Sequence, residues 1–380
     1  MLFTNANLFV PWVGFVPGGF TVEDGRFREV FFEEREGGTD LQGAKVLPGL
    51  VDAHTHGAMG ADFSDGDAAG LERMARYLAK NGVTSFAPTS MTLPYETLSA
   101  AFATAVKLRE ERPAGCARVA GIHMEGPFFS EKKKGAQNGA YLRLPDYEAF
   151  RTLYEGCGGL LRIVDLAPEL AGAVDFTRKA SKLCTVSVAH TDADYEQTRA
   201  VYEAGATHLT HLFNAMPSIH HRKPGVIGAA SERERVTAEL ICDGLHVHPS
   251  SVRMAFMLFP GRICLISDSL RCCGMPDGEY ELGGQQVFLS GGVARLADGT
   301  IAGAASNLYQ DLLNAVAFGV PQEEAVLSAT LIPARELGRE SEIGAIAPGR
   351  WADFLVCGED LSLQTVYMGG EALDQPSRRR

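Results

Sequence analysis

The sequence has no surplus of positive charge, no Cys-x-x-Cys pair, no low-complexity segment and no apolar run near the ~18 residues of a membrane span. Each absence excludes something. Lysine and arginine total 35 against 47 aspartate and glutamate, a formal charge of −12. That balance argues against nucleic acid or an anionic membrane surface as the main partner. The eight cysteines (116, 157, 184, 242, 264, 272, 273 and 357) are scattered, mostly within apolar runs, where cysteine behaves as a small hydrophobe. With no basic, apolar leader at Met1–Val10, the expectation is a reducing, cytoplasmic setting. The charge runs, Lys132–Lys134 and Arg378–Arg380, read as solvated.

What is present is an ordinary globular composition, 46% hydrophobic and 22% charged over 380 residues. A chain of this length buries roughly three quarters of its unfolded surface and needs no disulfide to fold. Its two ends read as short strands: Leu2–Val10, Val13–Val16, Gly19–Glu23 and Arg28–Phe32 at the start, Asp353–Cys357 and Gln364–Met368 at the finish. Between them, eight apolar runs alternate with helical periodicity: 46–53, 84–89, 118–124, 161–167, 185–189, 207–212, 237–242 and 263–267. Segments such as Leu71–Lys80 and Tyr95–Leu108 carry helical spacing. Eight strand–helix units in a row predict a closed parallel (β/α)8 barrel of the TIM type. Residues 1–47 and 345–380 are expected to form one composite β-sandwich domain around a barrel at 48–344, with Glu279–Ala302 inserted in the last unit as a hairpin.

The C-terminal ends of barrel strands converge on one mouth. There the sequence places Asp52-Ala53-His54-Thr55-His56-Gly57, His123-Met124-Glu125-Gly126-Pro127, Ala189-His190-Thr191-Asp192, His208-Leu209-Thr210-His211, Asp243-Gly244-Leu245-His246 and Ser267-Asp268. Random placement of ten histidines would not readily produce this. His54 and His56 are two apart and share one face of a strand, so both imidazoles can reach one ion. Alone, such a pair is equally compatible with structural histidines. Glu125 is held between an apolar strand and Gly-Pro, where a carboxylate can bridge cations. His190 and His211 each end an apolar run, where an unpaired imidazole is costly; either taken singly reads as a satisfied core histidine. Asp268, beside such a site, can take a proton from water whose pKa a metal lowers to about 7. His208 is expected to face away from His211, and His123 to support Glu125 without being a ligand.

With those residues in place the sequence resembles the N-acetylglucosamine-6-phosphate deacetylases of the amidohydrolase superfamily. The resemblance runs through Pro48-Gly49-Leu50-Val51-Asp52-Ala53-His54-Thr55-His56, His123-Met124-Glu125-Gly126-Pro127-Phe128, His211-Leu212-Phe213-Asn214-Ala215-Met216 and His221-Arg222-Lys223-Pro224-Gly225, and ends in Pro348-Gly349-Arg350-Trp351-Ala352-Asp353. It implies removal of acetate from an N-acetylated amino sugar 6-phosphate. It implies Glu125, His190 and His211 as metal ligands, with His54 and His56 free to hold a second ion, so one or two divalent ions of zinc, iron or manganese. It implies Asp268 as the proton-transferring group and Ala136, Gln137, Asn214, Ala215, Arg222 and His246 as substrate contacts, Arg222 taking the phosphate. A homodimer is also implied. Many amidohydrolases bridge two metals with a lysine on strand four; residues 161–168 contain none, which leaves Glu125 as the bridge. Lys223 replaces an acidic residue common in relatives, and Cys272-Cys273 has no assigned role.

Three rival readings remain at this point: the same chemistry on the galacto sugar, a ring-amide hydrolase, and a non-catalytic barrel that merely binds. The negative net charge does not count against a phosphorylated substrate. Distant carboxylates are screened beyond about 8 Å, whereas a guanidinium at ~4 Å contributes about 4 kcal/mol at an effective dielectric of 20.

Overall fold

The computed structural model describes residues 1–373; the predicted basic run Arg378–Arg380 lies outside the described residues. Eight parallel strands form the expected barrel: Leu50–Thr55, Val83–Ser90, Ile122–Phe128, Leu161–Leu166, Thr185–Val188, His208–Leu209, Thr237–Ile241 and Ile263–Ile266. Each pairs with the next in parallel register. The last and first strands do not share a ladder; the seam closes through other bonds. Asp268 N–H donates to the His54 carbonyl at 3.0 Å, and the Ser267 hydroxyl donates to the Asp52 carboxylate at 2.6 Å. Burial pushes Asp52 up to about 7, against the hydrogen bonds from Ser267 that pull it down. The strands are buried on both faces, as a barrel wrapped by helices requires.

Two helices show why their sequences fold as they do. Ala68–Lys80 is capped by Asp67, whose carboxylate accepts from Ala69 N–H, and it buries Leu71, Met74, Ala75 and Leu78 on one face. Tyr95–Glu111 likewise turns Leu98, Ala101, Phe102 and Ala105 inward.

The terminal strands build a second sheet. Leu2–Val10 pairs with Gly14–Glu23 and with Lys45–Pro48, and Lys45–Pro48 pairs with Phe354–Cys357 from the other end of the chain. The predicted first barrel strand over 46–53 is therefore two strands. Lys45–Pro48 belongs to this terminal sheet and Leu50–Thr55 to the barrel, with Gly49 between them. A Cβ at Gly49 would fall 2.0 Å from Thr84 Oγ1, so only glycine allows the crossing. Phe20 and Phe354 sit three strands apart in this ladder, roughly 14 Å if the sheet were flat. Their rings are 4.9 Å apart. The sheet consequently curls on itself around Phe3, Phe20, Phe27, Phe354 and Tyr367.

The insertion is larger than a hairpin. Gly278–Leu282, Gln285–Ser290, Val293–Leu296 and Ile301–Ala304 make a four-stranded antiparallel sheet. Gly283-Gly284, both with positive φ, turn the first of these strands into the second. Leu270, Cys272, Leu282, Val287 and Leu289 form its core against Met91 and Ala136, so Cys272 serves as buried apolar filling. Cys273 is also buried, its thiol donating to the Ser306 carbonyl at 3.2 Å.

Candidate active site

At the C-terminal mouth of the barrel, Glu125, His190 and His211 converge. Glu125 Oε1 lies 3.1 Å from both His190 Nε2 and His211 Nε2, and those two nitrogens are 3.1 Å apart. Beside them His54 Nε2 and His56 Nε2 are 3.2 Å apart, and Asp268 Oδ1 lies 3.5 and 3.2 Å from them. Glu125 stands between the two groups: its Oε2 is 3.4 Å from His56 Nε2 and its Oε1 is 3.7 Å from His54 Nε2. The five ligand candidates are nearly inaccessible.

The opposite edges of the imidazoles decide which nitrogens face inward. His56 Nδ1 meets the Thr89 carbonyl at 3.1 Å, His190 Nδ1 the Lys133 carbonyl at 2.9 Å, and His54 Nδ1 the Glu239 carboxylate at 2.9 Å. An acceptor on Nδ1 requires N–H there, so in the neutral ring Nε2 carries the lone pair. The inward Nε2 atoms of His54 and His56 then meet lone pair to lone pair, an arrangement that calls for a cation between them. Burial would raise the Glu125 carboxyl, but hydrogen bonds from His190 and His211 hold it well below the usual range. Burial would lower His56 and His211, but the carboxylates around them outweigh it and raise both to about 9. The cluster therefore attracts positive charge, whether protons or a metal. Two His and one carboxylate suit a divalent ion, and two such sets meet the mouth of the barrel, Glu125–His190–His211 and His54–His56–Asp268; a third, His54–His123–Glu239, is wholly buried behind them, and both of its His123 nitrogens already face acceptors. The donor set fits the metal that the resemblance implies.

His123 is not part of either set at the mouth. Its Nδ1 faces the Ala53 carbonyl at 3.1 Å and its Nε2 the Asp165 carboxylate at 2.9 Å. With acceptors on both sides it has no lone pair to offer. His208 is likewise enclosed, between Glu239 at 3.0 Å and Glu336 at 2.9 Å.

Three of the central residues sit on unusual backbone: φ is 43° at His190, 30° at His211 and 48° at Asp268. Left-handed conformations at non-glycine residues cost of order 1–3 kcal/mol each and persist where the surroundings over-determine them. At the strand ends they swing these side chains toward the barrel axis.

A cavity of about 410 Å³ opens over the cluster. His56, Glu125, His190, His211 and Asp268 line it, together with Ala136, Gln137, Asn214, Ala215 and His246; His54 lies behind His56. Gln137 is fixed at both ends, its oxygen accepting from Thr92 N–H at 2.8 Å and its nitrogen donating to Glu125 Oε2. His246 Nδ1 donates to Asp243 at 2.6 Å, which orients the ring at the pocket wall. Arg222 does not line the cavity. It is exposed on the loop that brings His220 opposite Lys223, with Nη1 2.7 Å from His221 Nε2. The cations that line the pocket are Lys132 and Lys133. A larger cavity, about 890 Å³, lies elsewhere, walled by Arg109, Arg118, Arg339 and Trp351, and contains none of these groups.

Sequence reasoning missed Lys132 and Lys133, read as solvated, and Thr300–Gly303 of the insertion, all of which line the pocket; it also gave no role to Asp243, behind His246, or to Glu239, behind His54. Glu239 had a readable signal, a lone carboxylate in the apolar strand Thr237–Ile241, where a buried charge must be paired. The insertion's approach had none, because it depends on how a separate sheet packs.

Residues 45–373 match the amidohydrolase family model. The chain belongs to the amidohydrolase family. Among curated relatives of this amidohydrolase, the N-acetylglucosamine-6-phosphate deacetylase of Vibrio furnissii is 37% identical over 86% of this chain and 82% of its own length. The N-acetylgalactosamine-6-phosphate deacetylase of Escherichia coli O157:H7 is 36% identical over 88% of this chain and 89% of its own. Among solved structures, an N-acetyl-D-glucosamine-6-phosphate deacetylase variant from Mycobacterium smegmatis, in complex with N-acetyl-D-glucosamine-6-phosphate, superposes with a TM-score of 0.91 at 33% identity, covering 98% of each chain.

Proposed function

We propose that this amidohydrolase removes acetate from N-acetyl-D-glucosamine 6-phosphate, giving D-glucosamine 6-phosphate, with one or two divalent ions (zinc, iron or manganese). The observation that carries the reading is Asp268 within one of two adjoining His–carboxylate sets at the floor of a sugar-sized pocket, in a chain whose full-length relatives bear that activity in their names.

Glu125, His190 and His211 would hold one ion and His54, His56 and Asp268 a second; an ion so held supplies Lewis acidity for the acetamide carbonyl and lowers the pKa of water to about 7. Asp268 takes the proton from the attacking water. The water oxygen bonds to the acetyl carbon, giving a tetrahedral intermediate. When the C–N bond breaks, Asp268 returns that proton to nitrogen, leaving acetate and the free amine, so the residue ends as it began. Burial would raise the Asp268 carboxyl, but His56 and His54 hold it below the ordinary carboxylate range, so it starts as the anion a base must be. Gln137 keeps Glu125 in place, and His246, braced by Asp243, contacts the sugar alongside Asn214, Ala215 and Ala136.

The phosphate cation in this proposal is Arg222, on the strength of its motif; Lys132 and Lys133 compete for the role by position. Arg222→Ala should raise KM for the phosphorylated sugar and leave a non-phosphorylated analogue little changed. An equal loss on both would remove Arg222, and the same loss in Lys133→Ala would transfer the role.

A second reading is the galacto sugar, favoured by the Escherichia coli relative at 36% identity. Acetate release from both substrates at identical metal loading decides; a preference for the galacto form would overturn the first reading. A cytoplasmic homodimer completes the proposal. All eight cysteines are free, as a reducing compartment favours, and sedimentation at micromolar concentration tests the dimer.

A further inference from the structure

Glu239 is fully inaccessible, between the buried apolar residues Ala238 and Leu240. A carboxylate buried so deeply costs several kcal/mol unless its oxygens are paired. Both are. Oε2 accepts from His54 Nδ1 at 2.9 Å and from His211 N–H at 3.2 Å. Oε1 accepts from His208 Nε2 at 3.0 Å. His208 in turn donates through Nδ1 to Glu336 at 2.9 Å, and Glu336 also accepts the Thr237 hydroxyl at 2.7 Å. A line of side chains thus runs from the catalytic mouth into the barrel, with Glu239 as its acceptor-only link.

The bonding has one consistent direction. His208 stands between two carboxylates and donates to both. Glu239 can only accept, so His54 must present Nδ1–H to it and keep its Nε2 lone pair for the side facing His56 and Asp268. His56 is oriented differently, by the Thr89 backbone carbonyl. Of the four candidate ligand histidines, 54, 56, 190 and 211, His54 is the one whose Nδ1 is held by a side chain.

We propose that Glu239 is a positioning residue that acts through His54, fixing its tautomer and ring plane for a second ion at His54, His56 and Asp268. It is not itself a ligand, because both oxygens are already engaged within the barrel. The proposal rests on the two-ion form of the function proposed above. Partners that hold ligating histidines typically change metal affinity 10–100-fold when lost.

The test uses the full chain with zinc as the probe. Wild type, Glu239→Leu and Glu239→Gln are dialysed against zinc buffered by a chelator series. Zinc per chain is measured by atomic emission, with circular dichroism and a melting curve as the fold control. Wild type should take up two zinc ions in two steps. Glu239→Leu should weaken one step about 10–100-fold and leave the other within about twofold; Glu239→Gln, which keeps one acceptor oxygen, should weaken the same step by less. If Glu239→Leu does not fold, Glu239→Gln decides, with at least a threefold weakening expected. In a His54→Ala background the Glu239 substitutions should have no further effect on zinc. Two-step binding identical to wild type in the folded variants, equal weakening of both steps, or an undiminished effect without His54 would each overturn the positioning role. A wild type that takes only one zinc at every buffered concentration would instead overturn the two-ion reading on which it rests.

Discussion

Asp268→Asn separates proton transfer from everything else the mouth of the barrel does. The exchange is nearly isosteric, and the backbone bonds from Asp268 N–H to the His54 carbonyl and from Ala304 N–H to the Asp268 carbonyl do not involve the side chain. Asparagine is also among the residues that best tolerate a positive φ such as the 48° here, so the fold should survive with little change in melting temperature. An amide cannot take the proton of water. Each positioned proton transfer is worth about 10²–10⁴ in rate, and Asp268 is proposed to act twice. Because the two uses belong to one cycle and are not additive, the expected loss in kcat is about 10³–10⁵-fold, or roughly 4–7 kcal/mol of barrier. Acetate release is followed at saturating N-acetyl-D-glucosamine 6-phosphate with zinc in excess and zinc per chain determined. The excess matters because Asp268 also lies 3.2 Å from His56 Nε2, and weaker metal binding alone would lower the rate. A loss below tenfold once zinc is restored to the wild-type level would refute Asp268 as the proton carrier.

Three further outcomes test the physical account. Phe354 stacks on Tyr367 at 4.4 Å and meets Phe3 and Phe20 edge-on, so Phe354→Ala should cost about 3–5 kcal/mol in urea unfolding; a cost under about 1 kcal/mol would mean that the curled sheet does not depend on this aromatic cluster. Burial would lower His208, but Glu239 and Glu336 raise it to about 10, above the unfolded value of roughly 6.5. The stability it confers is complete below about pH 6.5 and lost as pH rises toward 10, by at most about 5 kcal/mol. The melting temperature of the wild type should therefore fall more steeply across pH 7–10 than that of His208→Gln, and parallel curves would contradict the buried pairing. Burial pushes the thiols of Cys272 and Cys273 up to about 11 and about 12, so a neutral-pH thiol reagent should leave both unmodified in the native protein; rapid labelling would show the loop after Asp268 to be open.

Much of the fold was legible because strand and helix periods differ. Apolar runs such as Ile263–Ile266 alternate with helical faces such as Leu71, Met74 and Leu78, and eight repetitions suit a closed barrel. Less legible were features that depend on where chain segments meet. The split at Gly49 was hidden because Lys45–Pro48 and Leu50–Thr55 are both apolar, and only pairing with Phe354–Cys357 assigns the first to another sheet. The four-stranded form of the insertion, read from the sequence as a hairpin, was hidden because Gly283-Gly284 makes so short a turn.

By itself, the sequence determined which residues can supply this chemistry and at which strand ends they stand. Barrel topology brings every C-terminal strand end to one mouth, so a linear list of strand endings is already a list of neighbours. Only the tertiary structure decided which nitrogen of each histidine faces inward, that His123 and His208 have none to spare, that Glu239 stands behind His54, and that Arg222 lies outside the pocket of its own chain. Those outcomes depend on acceptors from distant strands and on three left-handed residues at strand ends. Neither leaves a trace in the local pattern, because side-chain direction there is set by packing across the barrel and not by the neighbours along the chain.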